Sequence, residues 1–240
     1  MKIAVVSDNI YMAHAFKNIL ENQMPHVSAH YFCSIFSNPE EFKIQNVQSI
    51  DIKKYYTNLI ENFNLIFSIH CKQIFPKELV ERVRCINVHP GYNPINRGWY
   101  PQVFSIINNL ETGATIHEMD AELDHGNIIA RKKIAIKSWD TSLSLYNKIV
   151  ETELELLEKH IISIVEKTYT TITPESEGNV YLKKDFNALL HIDLQKKASY
   201  KQVINHLRAL THGEFKNAYF VDSETNKKVF VKVILEVEHE

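Results

Sequence analysis

The sequence predicts an α/β protein built on a doubly wound, mostly parallel sheet, with a small C-terminal α+β unit that ends in a β-hairpin. Short apolar runs typical of buried strands alternate with segments whose apolar residues recur at helical spacing. Most of these runs end in polar residues or in glycine and proline, where a loop begins. After residue 178, a helical segment precedes two strand-like runs. This last part is too short for a stable core of its own.

The first half of the chain carries the alternating pattern. Residues 2–7 form an apolar, β-branched run, and Asp8 and Asn9 follow it as good helix N-caps before a helix over 10–20. No GxGxxG motif follows this strand, so a dinucleotide is not indicated. Asp8 and Asn9 lie where open α/β sheets bind ligands, so capping and ligand contact both remain open. The same features predict strands over 27–32, 65–69 and 85–89 and helices over 51–62 and 76–83, with 38–50 irregular.

The second half adds an antiparallel pair and the C-terminal unit. Strands over 112–119 and 128–136 are joined by a short connection, which favours an antiparallel hairpin at one side of the sheet. The remaining predicted elements are helices over 100–110, 141–165 and 199–210 and a hairpin of strands 217–222 and 228–237. We expect a catalytic domain over 1–169, a polar linker over 170–178 and a small domain over 179–240.

Composition narrows the classes of partner. The net charge is −2 with no basic stripe, so we expect no nucleic-acid partner. No window reaches 18 unbroken apolar residues, so we expect no membrane span. Twelve histidines are scattered without zinc spacing, so we expect no metal. The three cysteines, Cys33, Cys71 and Cys85, lie in or beside apolar runs, which favours buried thiols in a reducing cytoplasm.

The strand over 85–89 ends in two polar residues, Asn87 and His89, before a loop rich in glycine and proline. Alternation places both side chains on one face, about 7 Å apart. An amide can donate to an oxyanion, and an imidazole can exchange a proton near neutral pH. A hydrogen-bonded polar pair with a purely structural role explains the same pattern, so the chemical interpretation needs a further residue.

Asp124 is that further residue, because it lies in the loop that joins the two antiparallel strands. A carboxylate near a histidine can orient the ring or accept a proton from an attacking nucleophile. No serine or cysteine occupies a nucleophile elbow, so an acyl-enzyme is not indicated. Asn87, His89 and Asp124 fit direct attack of a substrate group on an activated acyl donor, while structural roles for them stay open.

Three ordered motifs decide between these interpretations. Residues 87–90 read Asn-Val-His-Pro, residues 113–117 read Gly-Ala-Thr-Ile-His, and residues 124–128 read Asp-His-Gly-Asn-Ile. Over residues 1–165 the chain resembles the formyltransferase family that uses N10-formyltetrahydrofolate. The resemblance implies a Rossmann-like domain and a formyl-transferring enzyme with Asn87, His89 and Asp124 as the catalytic triad.

Within that family, the loop HPGYNPINRGWYPQVFSI and the tail segment HLRALTHGEFKNAYF resemble the sugar N-formyltransferases. This implies transfer to the amine of a dTDP-linked 3- or 4-amino-dideoxy sugar for bacterial surface polysaccharide such as O-antigen. The usual Ser-Leu-Leu-Pro after His-Pro is replaced by Gly91-Tyr92-Asn93-Pro94, which argues against a tRNA or purine-pathway acceptor. The small hairpin-bearing tail favours a homodimer.

Further residues are candidates for substrate binding, each with a structural alternative. Lys72 and Arg97 could hold the pyrophosphate or be solvated charges. Trp99 and Tyr100 could form the wall of the sugar site or belong to the core. His117 matches a family position but could be a structural hydrogen-bonder. Tyr219 and Phe220 could stack on thymine, although hairpin packing explains them as well.

Other functions remain open at this stage. The acceptor could instead be a UDP-amino sugar, methionyl-tRNA or glycinamide ribonucleotide, although tRNA would favour a larger basic second domain. Water as the nucleophile would make the protein a formyltetrahydrofolate hydrolase. A binder of nucleotide sugars that lacks activity would share the fold, and fold alone does not separate these functions.

Overall fold

The computed structural model describes residues 1–238 and contains eleven strands and seven helices among them. The strands are β1 Ile3–Ser7, β2 Ala29–Ser34, β3 Gln48–Ile50, β4 Leu65–Ile69, β5 Arg84–His89, β6 Arg97–Gly98, β7 Thr112–Glu118, β8 Ile128–Ile134, β9 Val180–Tyr181, β10 Tyr219–Val221 and β11 Lys228–Phe230. The helices are α1 Ile10–Gln23, α2 Ile52–Asn62, α3 Lys77–Arg82, α4 Pro101–Asn108, α5 Ser142–Glu166, α6 Lys183–Leu189 and α7 Tyr200–Leu210.

Seven of the strands form one sheet in the order β3-β2-β1-β4-β5-β7-β8. The strands from β3 to β5 in this order are parallel, whereas β7 and β8 are antiparallel to their neighbours. The predicted doubly wound α/β sheet with an antiparallel side is therefore confirmed. The small β10-β11 hairpin near the C-terminus is confirmed as well.

Both faces of the sheet are covered, because the central strands are apolar on both sides. Strand β4 is buried at all five positions, as a strand between two helical layers must be. One face packs against α1, α4 and α5, and the other packs against α2 and α3. This arrangement leaves the carboxyl ends of the parallel strands open at one edge, where α/β sheets bind their ligands.

The sequence-based prediction missed some short elements. Strand β3 lies in the segment 38–50 that was expected to be irregular, and β9 and α6 were not predicted. Strands β3 and β9 have only three and two residues, which is too few to show an alternating pattern. Strand β2 ends two residues later than expected, and β11 ends at Phe230, so the predicted strand over 228–237 was too long.

The C-terminal segment packs directly on the part of the chain that contains the large sheet. Strand β9 pairs with β6, and the Trp99 backbone amide donates to the Tyr181 carbonyl at 2.8 Å. The Arg208 guanidinium of α7 donates to the carbonyls of Lys137 and Asp140 at 3.0 and 2.6 Å. The division at residues 170–178 remains our proposal. Among residues 1–238, no helix combines the length and apolar character that crossing a membrane requires.

Candidate active site

A cavity of about 260 Å³ lies at the carboxyl edge of the central strands. The ends of β4 and β5, the loop that follows β5, the β7–β8 loop and one residue of α5 surround it. The polar side chains that line it include those of His70, Lys72, Asn87, His89, Asp124 and Tyr146.

The structure brings the three predicted catalytic residues together at this cavity. The Asn87 amide nitrogen donates to Asp124 Oδ1 at 2.8 Å. His89 Nδ1 lies 3.5 Å from Asp124 Oδ2, so the carboxylate faces the imidazole. Asn87 and His89 are both buried on β5. An amide, an imidazole and a carboxylate therefore meet in one place, as the spacing of the sequence motifs suggested.

Two features of the β7–β8 loop place the Asp124 carboxylate. Its Oδ2 accepts from the Gly98 backbone amide at 2.9 Å, and its backbone carbonyl accepts from the Asn93 amide at 2.8 Å. Gly126 has a φ of +106°, and a Cβ there would lie 2.2 Å from the Glu118 carbonyl oxygen. Only glycine fits this turn, which accounts for the glycine two residues after the aspartate.

His117 orients Asn87 from the neighbouring strand, because these two residues are register partners. The His117 Nδ1–H donates to the Glu118 carbonyl at 2.7 Å, so Nε2 is free to accept from the Asn87 amide at 3.2 Å. Burial lowers the pKa of the His117 imidazole, although the Asp124 carboxylate opposes this shift. A neutral His117 keeps the lone pair that Asn87 needs. His117 therefore acts on Asn87 and does not line the cavity.

Thr115, in the same Gly-x-Thr-x-His motif, anchors the loop that follows His89. Its hydroxyl donates to the Gly91 carbonyl at 2.7 Å and accepts from the Asn93 backbone amide at 3.1 Å. Asn93 in turn holds the backbone of Asp124. The three motifs of the sequence thus form one hydrogen-bonded unit.

His89 keeps one ring nitrogen for a ligand. His89 Nε2 is buried and has no hydrogen-bond partner among the described residues. A buried nitrogen of this kind is costly unless a ligand or water satisfies it. A Cβ at residue 91 would lie 2.4 Å from this nitrogen, so Gly91 leaves room for the ring. The departure from the usual family serine at position 91 therefore bears directly on His89, the proposed catalytic histidine.

Three of the predicted substrate-binding residues line the cavity: Lys72, Trp99 and Tyr100. Lys72 is exposed in the loop after β4, as a residue that meets an anion should be. Tyr100 stacks on Phe186 of α6 with ring centroids 4.1 Å apart, so its contacts include the C-terminal segment. These positions keep Lys72, Trp99 and Tyr100 as proposals for substrate contact.

Asp8 and Asn9 lie at the predicted edge, but their side chains are engaged within the protein. The Asp8 carboxylate accepts from the Ser34 amide and hydroxyl at 3.0 and 2.7 Å and from the Lys72 amide at 2.6 Å. It thereby ties together the loops after β1, β2 and β4. Of the two roles left open by the sequence, the geometry supports a structural one for Asp8, which does not line the cavity, and its ligand contact stays a prediction. Asn9 caps α1 by accepting from the Met12 amide at 3.1 Å.

Arg97 and Tyr219 do not line the cavity. The Arg97 guanidinium is buried and lies 3.9 Å from Glu177 Oε2. Tyr219 packs in the hairpin against Phe230, with ring centroids 6.0 Å apart. The thymine contact of Tyr219 therefore has no support from the geometry. Nε and Nη1 of Arg97 are buried without a hydrogen-bond partner among the described residues, so its pyrophosphate contact stays a prediction.

Sequence reasoning missed several residues at the site. His70, Tyr146 and Glu153 form a connected group beside the cavity, and Asn93 holds the Asp124 loop. His70 is a polar residue at the end of a predicted strand, which is a signal for a site. Tyr146 and Glu153 lie on the long helix α5 among apolar residues, where nothing local marks them.

The fold and the site define an α/β enzyme that places an amide, an imidazole and a carboxylate around one cavity. A family model described as "Formyl transferase" matches residues 2–161. A second, described as "N-formyltransferase dimerization C-terminal domain", matches residues 185–237. The chain therefore belongs to the formyl transferase family, and it is a formyltransferase.

Several relatives are similar over nearly the whole chain. The chain is 44% identical over 238 residues to the protein of Mycobacterium tuberculosis named dTDP-4-amino-4,6-dideoxyglucose formyltransferase, covering 99% of this chain and 98% of that one. A 4-N formyltransferase from Francisella tularensis is 45% identical with a TM-score of 0.94, covering 99% and 98% of the two chains. A sugar N-formyltransferase from Shewanella sp. is 39% identical with a TM-score of 0.95, covering 100% and 99%.

Proposed function

We propose that this enzyme transfers a formyl group from N10-formyltetrahydrofolate to the amine of a dTDP-linked 4-amino-4,6-dideoxy sugar. The observation that carries the proposal is the 44% identity, over 99% of this chain, to a formyltransferase named for that kind of sugar. The cavity adds chemical support, because its walls combine an acid–base pair with the exposed cation Lys72. A 3-amino sugar is the alternative acceptor.

N10-formyltetrahydrofolate supplies an activated formyl carbon, and the protein supplies the donors and the proton acceptor around it. His89 Nε2 is a buried nitrogen of the proposed catalytic group that lacks a hydrogen-bond partner among residues 1–238, so it is the natural contact for the formyl oxygen. Negative charge develops on this oxygen as the amine attacks. A donor placed there typically contributes about a hundredfold or more in rate.

The role of Asp124 is to accept a proton from the attacking amine of the sugar. The attacking amine must lose a proton, and the Asp124 carboxylate, facing His89, can accept that proton directly or through water. The bond between the formyl carbon and N10 of the folate then breaks, and the proton passes to N10, so that tetrahydrofolate leaves. Both N–H groups of Asn87 are engaged, one by His117 and one by Asp124. Asn87 can therefore donate to the formyl oxygen only after it releases one of these contacts. Protonation of Asp124 would weaken the second contact and free that N–H group.

A panel of acceptors tests the proposed function. We expect formyl transfer, followed by folate absorbance, to dTDP-4-amino-4,6-dideoxyglucose and weaker transfer to its 3-amino isomer and to UDP-amino sugars. We expect no formate release without an acceptor, because water is a poor substitute for a bound amine. Formate release at the same rate without sugar would make the protein a hydrolase and contradict the proposal.

The second family match supports a homodimer built from the C-terminal segment. Large apolar side chains are exposed there, including Leu194, Tyr200, Phe215 and Ile234, and Ile234 is 86% exposed. We expect a sedimentation mass of twice the 27.9 kDa of one chain. Ile234→Glu should shift the protein towards monomer, whereas Ile162→Glu, on the exposed side of α5, should not. A monomer at all concentrations would contradict the proposal.

We also propose a cytoplasmic location and a role in bacterial surface polysaccharide such as O-antigen. The free thiols of Cys33, Cys71 and Cys85 support the reducing compartment. Deletion of the gene should remove the formylated sugar from the isolated polysaccharide, and an unchanged sugar composition would contradict this role.

A further inference from the structure

A second group of polar side chains lies at the wall of the cavity and takes no part in the chemistry described above. It consists of Asn9, His70, Tyr146 and Glu153 and is called the wall cluster here. His70 Nε2 lies 2.9 and 2.8 Å from the two oxygens of Glu153. His70 Nδ1 lies 3.0 Å from the Tyr146 hydroxyl and 3.3 Å from the Asn9 amide nitrogen, and the Tyr146 hydroxyl also accepts from the Asn9 amide at 3.0 Å. His70 and Tyr146 line the cavity.

Glu153 is fully buried on α5, with 0% of its surface exposed. Among residues 1–238, His70 is the only hydrogen-bond partner of its carboxylate. A buried carboxylate is unfavourable unless it is paired with a donor or a cation. His70 Nε2 therefore carries a proton directed at Glu153. Whether the other ring nitrogen, Nδ1, carries a proton then determines the hydrogen bonds within the wall cluster.

The backbone of His70 makes this pairing possible. A regular strand would place His70 on the same face as Ser68, away from α5. His70 instead has a φ of +52°, in the left-handed region that non-glycine residues rarely adopt. Its ring thereby reaches Glu153 and Tyr146 of α5. Such strain persists where the surroundings impose it, and it is often found at functional sites.

The protonation of His70 Nδ1 controls the direction of the Tyr146 hydroxyl. If Nδ1 carries a proton, it donates to the Tyr146 oxygen, which also accepts from Asn9. Both lone pairs are then occupied, and the hydroxyl proton is free to point into the cavity. If Nδ1 is unprotonated, Tyr146 at 3.0 Å and the Asn9 amide at 3.3 Å are the donors within its reach, and the shorter contact uses the hydroxyl proton internally. An anion in the cavity would select the first arrangement, because only this one offers it a donor.

We propose that Glu153 is a positioning residue that acts through His70 to turn the Tyr146 hydroxyl proton into the cavity, where it binds an acidic oxygen of the diphosphate of the nucleotide sugar. The inference rests on the proposed function, which supplies the diphosphate. Burial and the Glu153 carboxylate raise the pKa of Tyr146 to about 12, so the hydroxyl remains a donor. Lys72 lines the same cavity and adds the positive charge.

Thymidine diphosphate is the probe for this inference, with its dissociation constant measured by calorimetry. We expect Tyr146→Phe and Glu153→Gln each to weaken its binding by about tenfold or more, as for the loss of a hydrogen bond to a charged group. The double variant should bind no more weakly than Tyr146→Phe alone, because Glu153 acts through Tyr146. The KM for the sugar nucleotide should rise, while the KM for N10-formyltetrahydrofolate stays unchanged.

Two control variants separate this role from a general loss of structure. Tyr169→Phe removes a tyrosine–carboxylate hydrogen bond of 2.7 Å to Glu118 outside the cavity, and Thr152→Val removes a buried hydroxyl of α5 beside Glu153. Both should bind thymidine diphosphate like the wild type.

Unchanged binding by Tyr146→Phe would overturn the inference even if Glu153→Gln failed to fold. Normal binding by Glu153→Gln, or additive losses in the double variant, would overturn the positioning role of Glu153. A loss of kcat alone, with unchanged binding, would also overturn it. The failure of the proposed function looks different. In that case the wild type itself would neither bind thymidine diphosphate nor formylate a dTDP-amino sugar.

Discussion

His89→Asn is expected to lower turnover by about 10²- to 10⁴-fold while the fold is retained, because general acid–base groups contribute rate factors of this size. The substitution removes Nε2, a buried nitrogen without a hydrogen-bond partner among the described residues. It also removes the ring that faces Asp124 at 3.5 Å. The measurement is kcat for formyl transfer with both substrates saturating, together with a circular dichroism melt.

A second histidine provides the matched control for this experiment. His14 is also partly buried, and its ring contacts the Phe42 carbonyl, far along the chain from the cavity residues. His14→Asn should keep its turnover even if it melts at a lower temperature. Near-normal turnover in folded His89→Asn would remove His89 from the mechanism.

The sequence predicted the sheet well because the central strands are buried on both faces. A run such as Leu65–Ile69 is apolar at every position except Ser68, and no surface segment needs such a run. The grouping of the three proposed catalytic residues was predictable for a related reason. Asn87 and His89 are polar residues at the end of an otherwise apolar strand. Such a break in the apolar pattern indicates a functional site.

The wall cluster was not predictable in the same way. Glu153 belongs to a helix with many exposed charges, so its identity alone does not distinguish a buried carboxylate from a solvated one. Its burial depends on His70, whose left-handed backbone is a tertiary effect. The internal role of Asp8 was hidden for the same reason, because its partners Ser34 and Lys72 come from two other loops.

Asp124→Asn is expected to lower turnover by about 10³-fold or more, although it changes a single atom, because the carboxylate orients its histidine. Asp124 accepts from Asn87 at Oδ1 and from the Gly98 amide at Oδ2. An asparagine has only one oxygen, so in either orientation its amide faces another N–H group. The change also removes the group that takes the proton from the amine. Asparagine tolerates the left-handed backbone of residue 124, where φ is +46°, so the loop should keep its path.

Asp140→Asn is the control that separates an effect on stability from an effect on the chemistry of Asp124→Asn. Asp140 is also buried and accepts from Lys148 at 2.6 Å and from the Lys137 amide at 2.7 Å, but it does not line the cavity. Each variant removes a hydrogen bond to a carboxylate, which costs about 1–3 kcal/mol and lowers Tm by roughly 2–12 °C for a chain of this size. Both should therefore melt earlier, while Asp140→Asn keeps most of its turnover at 25 °C. If Asp124 has a chemical role, Asp124→Asn must lose far more activity than its lower melting temperature explains. Equal losses of turnover in the two variants would therefore show that Asp124 acts through stability.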